Sequence, residues 1–191
     1  MYSHLINRIK KYIQLSNDDI AVIETLFDNR TLRKGELFLQ EGKICRDLGF
    51  INKGLACYYV TSDGAEVVHN FAMENEFICN YDSLINKTVS YKNIIALEPT
   101  ELLCISRNKL QQLYNTISGG ERFGRLLMEG VYTDAIKHLI SFYTGSPQER
   151  YGEFIRNRKE LLQRVPQYYI ASYIGIRPQS LSRIRKRMLK S

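Results

Sequence analysis

The feature that most constrains the fold is a change in apolar spacing, from a helical period to a strand-like one and back again. Apolar residues recur at helical spacing up to Arg30 and again after Ser106. Between them, short apolar runs alternate with turns that contain Gly, Asn or Asp, and the runs are ELFLQ, LGFI, LACYYV, EVVHNFAM, FIC, NIIAL and ELLCI. Connections this short cannot hold crossover helices, so the pattern predicts an N-terminal antiparallel β-barrel or jelly roll in an α+β protein.

Capping patterns mark where helices begin on both sides of this segment. Ser16 followed by Asp19, and Ser146 followed by Glu149, are each typical of a capping box. Between them, SDG at 62–64 predicts a hairpin turn between two strands. After the strands, residues 107–117 predict a short helix. A helix of roughly twenty residues follows from Glu121 to Phe142.

The apolar stripe of this long helix is broad for a helix that covers a small barrel. We therefore predict that part of it packs on a second copy of the chain, although a helix that only covers the barrel is the alternative. The predicted dimer residues are Phe123, Leu126, Leu127, Val131 and Ile136.

Charge is divided unevenly along the chain. Residues 147–191 carry eleven Lys and Arg against three Glu, whereas residues 1–146 carry sixteen Lys and Arg against seventeen Asp and Glu. A basic C-terminal segment predicts a polyanionic partner, either nucleic acid or an anionic membrane. With TGSPQE marking a boundary, the sequence predicts a sensor domain at 1–118, a connecting dimerisation helix at 119–145 and a second domain at 146–191.

The spacing within residues 167–188 predicts a helix-turn-helix. Gly175 lies where a tight turn requires positive φ, and Pro178 suits the first turn of the second helix. Small Ala171 permits two helices to cross closely. The predicted buried residues are Ile170, Ala171 and Ile174 on the first helix and Leu181, Ile184 and Met188 on the second.

The exposed face of the second helix indicates which polyanion is bound. Gln and Arg match the edges of adenine and guanine, and Ser and Lys suit phosphates. A membrane-surface helix would need large aromatic anchors on its apolar face, and a solvated basic helix would not need the turn glycine. The predicted DNA-binding residues are Arg177, Pro178, Gln179, Ser180, Ser182, Arg183, Lys186 and Arg187.

A strand-rich domain, a long helix and IASYIGIRPQSLSRIRK together resemble the Crp/Fnr family of transcriptional regulators. RKGELFLQEGK and GFINKGLACYYVTSDGAEVV are similar to the cyclic-nucleotide-binding-like domain of that family. The resemblance implies a homodimer that binds palindromic double-stranded DNA, with Pro178, Gln179 and Arg183 at base-reading positions. A small-molecule effector and RNA polymerase are partners that it leaves open.

The resemblance also identifies candidate effector residues. Family members that bind cyclic AMP use a Gly-Glu pair and a later Arg-Ser pair, which here match Cys79-Asn80 and Ser90-Tyr91; Tyr81 lies beside them. Since the acid and the arginine are both missing, we expect no response to cyclic AMP. Lys87 and Lys92 leave another anion open, although a solvated loop is the simpler interpretation.

Other classes of protein receive less support. Four separate Cys residues and three distant His residues predict no metal and no cofactor, and they favour a regulator over an enzyme. A cupin-like ligand-binding module or enzyme whose C-terminal helices mediate protein contacts remains the alternative. With no apolar run of about 18 residues and no signal sequence, we expect a cytoplasmic protein without membrane partners.

The chain ends directly after the predicted recognition helix. We therefore expect the helix-turn-helix domain to lack the full β-hairpin wing of the family. Contacts with the DNA backbone would then come from Arg185, Lys190 or the helix at 147–164.

Overall fold

The strands between residues 28 and 106 form two four-stranded antiparallel sheets. The computed structural model describes residues 1–188, so Lys190 lies outside the described residues. The strands are β1 Asp28–Leu32, β2 Leu37–Leu39, β3 Asp47–Lys53, β4 Ala56–Ser62, β5 Ala65–Ala72, β6 Phe77–Ile78, β7 Asn93–Ala96 and β8 Thr100–Ser106. One sheet has the order β1-β8-β3-β6, and the other has the order β2-β7-β4-β5.

Of the predicted barrel or jelly roll, the barrel is corrected, because the two sheets form a β-sandwich and do not close into one barrel. The edge strands β2 and β6 contain three and two residues, and β6 pairs with β3 only at Gly49 and Phe50. Such short edges provide too few backbone hydrogen bonds to continue one sheet into the other. The α+β class and the antiparallel strands are confirmed.

Two compact units divide the described chain, and the first contains most of the sandwich. It comprises Met1–Val60 and Phe71–Gly130. Its helices are α1 Ser3–Lys10, α2 Asn17–Leu26, α3 Tyr81–Asn86, α4 Arg107–Thr116 and the first half of α5 Gly120–Thr144. Apolar residues from strands and helices form one core, in which Leu5, Phe50 and Leu103 are fully buried.

The capping box predicted at α2 is confirmed. The backbone N–H and the hydroxyl of Ser16 both donate to the Asp19 carboxylate, and the Asp19 N–H donates back to Ser16 Oγ over 3.1 Å. The Ser118 N–H donates to the second carboxylate oxygen of Asp19 over 2.9 Å. The pKa of Asp19 is held below its usual value by the Ser16 N–H, then by the Ser118 N–H and then by the Ser16 hydroxyl.

The second unit comprises Thr61–Asn70 and residues 131–188. It holds the rest of α5 together with α6 Pro147–Asn157, α7 Leu161–Arg164, α8 Gln167–Ile174 and α9 Pro178–Met188. Its short segment is the tip of the β4–β5 hairpin. Asp63 and Gly64 there have φ values of 50° and 75°, which fits the turn predicted from SDG.

The helix that follows Pro147 is shorter than predicted. Ser146 and Glu149 form the expected capping box, but α6 ends at Asn157 and a separate turn, α7, contains Leu161. Arg158 leaves the helical region at φ −140° and ψ 39°, although its N–H still bonds to Phe154 O. The spacing could not reveal this break, because Phe154 and Leu161 are both buried despite it.

Candidate nucleic-acid interface

The turn between α8 and α9 has the predicted geometry. Gly175 adopts φ 75° and ψ 39°, the left-handed conformation, and the Ile176 N–H bonds back to Ala171 O over 3.0 Å. A Cβ at Gly175 would collide with the ring of Phe142. Glycine is therefore required at this position both by the left-handed backbone conformation and by the closeness of the Phe142 ring.

Arg150, which lies in α6, stabilises this turn through hydrogen bonds, a role that sequence spacing did not indicate. Its Nε donates to Ile174 O over 2.8 Å, which satisfies a carbonyl at the end of α8. One terminal nitrogen donates to Gly145 O over 2.6 Å, and the guanidinium lies 4.7 Å from the Phe142 ring centre. Arg150 thus joins the ends of α5 and α8 around the turn.

Helix α9 has one buried face and one exposed basic face. Leu181 and Ile184 are buried as predicted, and Ala171 is buried on α8. The prediction that Met188 is buried was wrong, because 37% of its surface is exposed. Of the predicted DNA-binding residues, Ser180 is half-buried; those exposed are Arg177, Pro178, Gln179, Ser182, Arg183, Lys186 and Arg187.

The tip of the β4–β5 hairpin anchors α8 through polar contacts. The Val68 N–H donates to Ser172 Oγ over 2.9 Å, and the Ser172 hydroxyl lies 3.2 Å from Glu66 O. The Tyr169 hydroxyl donates to Glu66 Oε2 over 2.8 Å. Because these partners are more than a hundred residues apart, no local sequence pattern predicts them.

Arg185 also has a contact within the helix-turn-helix. Its terminal nitrogen donates to Gln167 Oε1 over 2.6 Å, which joins α9 to the start of α8. Arg185 is exposed, and Gln167 is half-buried. Arg185 therefore links the two helices in addition to carrying charge near the predicted DNA-binding residues.

The positions matched to the cyclic AMP cassette bind each other. Asn80 Nδ2 donates to Ser90 Oγ over 2.9 Å, and the Ser90 hydroxyl donates to Lys92 O over 2.7 Å. Asn80 and Ser90 are almost fully buried. These two side chains thus bond within the protein.

The neighbouring candidate residues differ in exposure. Tyr91 is exposed, and Tyr81 is at the margin of exposure. Cys79 is half-buried, and burial raises the pKa of its thiol to about 12. Cys79 is therefore a neutral thiol near pH 7 and supplies no charge to a ligand.

The predicted dimer residues fall into two groups along α5. Phe123 and Leu127 belong to the core of the first unit, and Leu126 is half-buried. Farther along, Val131 and Ile136 are exposed. Ile136 belongs to an exposed apolar stripe whose members are three or four residues apart. The sequence analysis did not single out its other members, which are Tyr132, Leu139 and Tyr143.

Within residues 1–188, no group of three or more His, Cys, Asp or Glu side chains is arranged to hold a metal ion. Over the same part of the chain, none of the helices combines the length and apolar character that crossing a membrane requires.

Residues 29–117 match the cyclic nucleotide-binding domain family. No curated protein matches the sequence of the chain. Among solved structures, FixK2 from Bradyrhizobium japonicum is similar with a TM-score of 0.75 at 16% identity, over 86% of this chain and 85% of that one.

Two other solved structures extend this comparison. The c-di-GMP-responsive global regulator CLP from Xanthomonas campestris has a TM-score of 0.70 at 16% identity, over 92% of both chains. A protein described as a transcriptional regulator of the Crp/Fnr family, from Eubacterium rectale, also has a TM-score of 0.70, at 14% identity over 94% of this chain and 88% of that one.

The domain match and the fold agree with the resemblance predicted from the sequence. The resemblance to Crp/Fnr regulators, with their cyclic nucleotide-binding domain, is confirmed. At these identities the structural likeness establishes the fold. The DNA sequence, the effector and the assembly must be argued from the residues of this chain.

Proposed function

We propose that this protein is a homodimeric, sequence-specific DNA-binding transcriptional regulator that does not respond to cyclic AMP. The observation that carries the proposal is helix α9. Its exposed face holds Gln179, Arg183 and Lys186, while Leu181 and Ile184 fix the opposite face in the core of the second unit. A helix held in this way and exposing base-reading side chains fits the major groove.

Gln179 and Arg183 are the proposed base-reading pair. They are four residues apart, so both project from the same side of α9. Gln pairs with the edge of adenine and Arg with the edge of guanine. Lys186 and Arg187 contribute phosphate contacts, which position the helix without reading sequence.

A second copy of the chain is the proposed occupant of the exposed stripe on α5. Apolar residues at spacings of four and three along one helix face are typical of a helix that pairs with another helix. An exposed stripe of this size is costly in water. A two-fold pair would present two recognition helices to half-sites about 34 Å apart along DNA.

The proposed lack of response to cyclic AMP rests on Asn80 and Ser90. A cyclic phosphate needs a cation, and a ribose hydroxyl needs an acceptor such as a carboxylate. These positions hold neither, and the two side chains are bonded to each other. A cupin-like enzyme is less favoured, because no metal-ligand cluster is found within residues 1–188.

The test of the DNA-binding proposal is an electrophoretic mobility shift with DNA from upstream of its own and neighbouring genes. The intact protein should retain a discrete complex against excess unrelated DNA. The double variant Gln179→Ala/Arg183→Ala should lose it. The control Lys53→Ala removes the same net charge from an exposed site in the first unit, and this variant should still form the discrete complex with DNA. Equal retention by both variants would contradict the proposal.

The test of the dimer is sedimentation at micromolar concentration. Leu139→Glu places a charge in the stripe and should produce monomers. Lys137→Glu changes an exposed residue on the other side of the same helix and should leave the dimer intact. A monomeric unmodified protein would contradict the assignment.

A further inference from the structure

A cleft in the first unit is lined by three cationic side chains and by no acid. Its cations are Arg46, Lys87 and Arg107. The remaining lining residues are Ile44, Cys45, Leu84, Ser106 and Asn108. None of them is a residue matched to the cyclic AMP cassette, so the cleft is a separate feature of the domain.

Three chain segments bring these cations together. Arg46 precedes β3, Lys87 follows the last residue of α3, and Arg107 begins α4. The Arg107 N–H donates to Arg46 O over 3.3 Å, which joins two of the segments. Lys87 adopts the left-handed conformation, φ 57° and ψ 29°, that ends α3. The cluster therefore depends on tertiary structure and is not a simple run of basic residues.

The cations of the cleft form no ion pairs in the part of the chain that the structure describes. No ion pair within residues 1–188 involves Arg46, Lys87 or Arg107. In addition, Arg107 Nε is shielded from solvent and has no hydrogen-bond partner. This guanidinium nitrogen is therefore available to donate to an anionic group in the cleft.

The floor of the cleft is apolar. Leu84 is buried, and the side chain of Ile44 is exposed at the rim. Cys45 is buried too, and burial raises the pKa of its thiol, so it carries no negative charge near pH 7 that would repel an anion. The volume is about 280 Å³. Ligand pockets begin at roughly 300 Å³, so the cleft suits a small molecule.

We propose that this cleft binds a small organic anion with a phosphate or carboxylate group on a compact apolar body. Arg107 and Arg46 supply forked donors to the anionic group, and Lys87 adds a third positive charge. Leu84 and Ile44 contact the apolar body. The proposal goes beyond DNA recognition and does not depend on it.

Calorimetry on the full chain without DNA tests the proposal with four probes: phenyl phosphate, benzoate, inorganic phosphate and phenol. One or both of the first two should bind more tightly than inorganic phosphate, and phenol should not bind. Tighter binding of phenyl phosphate would identify a phosphate ligand, and tighter binding of benzoate would identify a carboxylate.

Matched variants locate the binding. Arg46→Ala/Lys87→Ala, which changes two exposed residues, should raise the dissociation constant of the better probe at least about tenfold. Lys34→Ala/Lys53→Ala removes the same charge at exposed sites away from the cleft, and it should change that dissociation constant by no more than about twofold. Thermal unfolding should be alike for both variants and the unmodified protein.

Two results would overturn the proposal. One is that neither phenyl phosphate nor benzoate binds below about 10 mM. The other is an equal loss of binding in both double variants, which would show a response to net charge alone. Because no DNA is present in this experiment, neither result affects the proposed regulator function.

Discussion

Gly175→Ala should destabilise the second unit, because the turn between α8 and α9 needs a residue without Cβ. The backbone there has φ 75°, where a non-glycine residue costs about 1–2 kcal/mol. The added Cβ would also displace the ring of Phe142. That displacement disturbs the contact between this ring and Arg150, worth about 0.5–1 kcal/mol at an exposed site.

One effect acts in the opposite direction. Alanine restricts the unfolded chain more than glycine, which stabilises the folded state by about 0.4–1 kcal/mol. The expected net loss in the free energy of unfolding is therefore about 1–2 kcal/mol. Gly152→Ala is the matched control. Gly152 lies inside α6, where a Cβ would meet only the flexible end of Arg156 at 3.4 Å.

The two alanine substitutions should change the free energy of unfolding in opposite directions. Gly152→Ala should raise the free energy of unfolding by about 0.5–1 kcal/mol, the usual gain inside a helix. Urea titration followed by circular dichroism measures both variants against the unmodified protein. If Gly175→Ala were as stable as the unmodified protein, the reasoning about this turn would be refuted.

Three other predictions concern the readout, the pocket and the hairpin contact. Arg183→Ala should flatten the base preference at one base pair in each half-site. Lys186→Ala should instead weaken binding to all DNA sequences, and it should lower the dependence of the binding constant on salt concentration by about one unit on a log–log plot. Binding of both variants to a panel of DNA sites at several salt concentrations measures these effects. Calorimetry should detect no binding of micromolar cyclic AMP, because Asn80 and Ser90 replace its charged partners, and clear micromolar affinity would contradict this. Ser172→Ala should cost about 1–3 kcal/mol in urea titration, because the buried Val68 N–H loses its acceptor, and an unchanged midpoint would show that the hairpin contact contributes nothing.

Local patterns were the most reliable part of the sequence analysis. The capping boxes at Ser16 and Ser146 and the left-handed turn at Gly175 are all present, because each depends on residues within a few positions of one another. The two faces of α9 were predictable for the same reason. Helical spacing alone separates Leu181 and Ile184 from the basic side chains.

Features that depend on distant residues were not predictable. Phe123 and Leu127 belong to the same apolar spacing as Val131, yet the first two lie in a core whose other members come from the sandwich and from other helices of the first unit. Arg150 and its carbonyl partners illustrate the same limit, because nothing in the spacing of a charged residue identifies a carbonyl 24 residues away.

The most direct test of the central claim is selection of binding sites from random DNA by the intact protein. The account predicts an enriched inverted repeat whose half-sites lie about 10–10.5 base pairs apart, centre to centre. The same selection with Gln179→Ala/Arg183→Ala should lose base preference in both half-sites. Failure of the intact protein to enrich any sequence, at a salt concentration where it still binds DNA, would contradict the claim that α9 reads sequence.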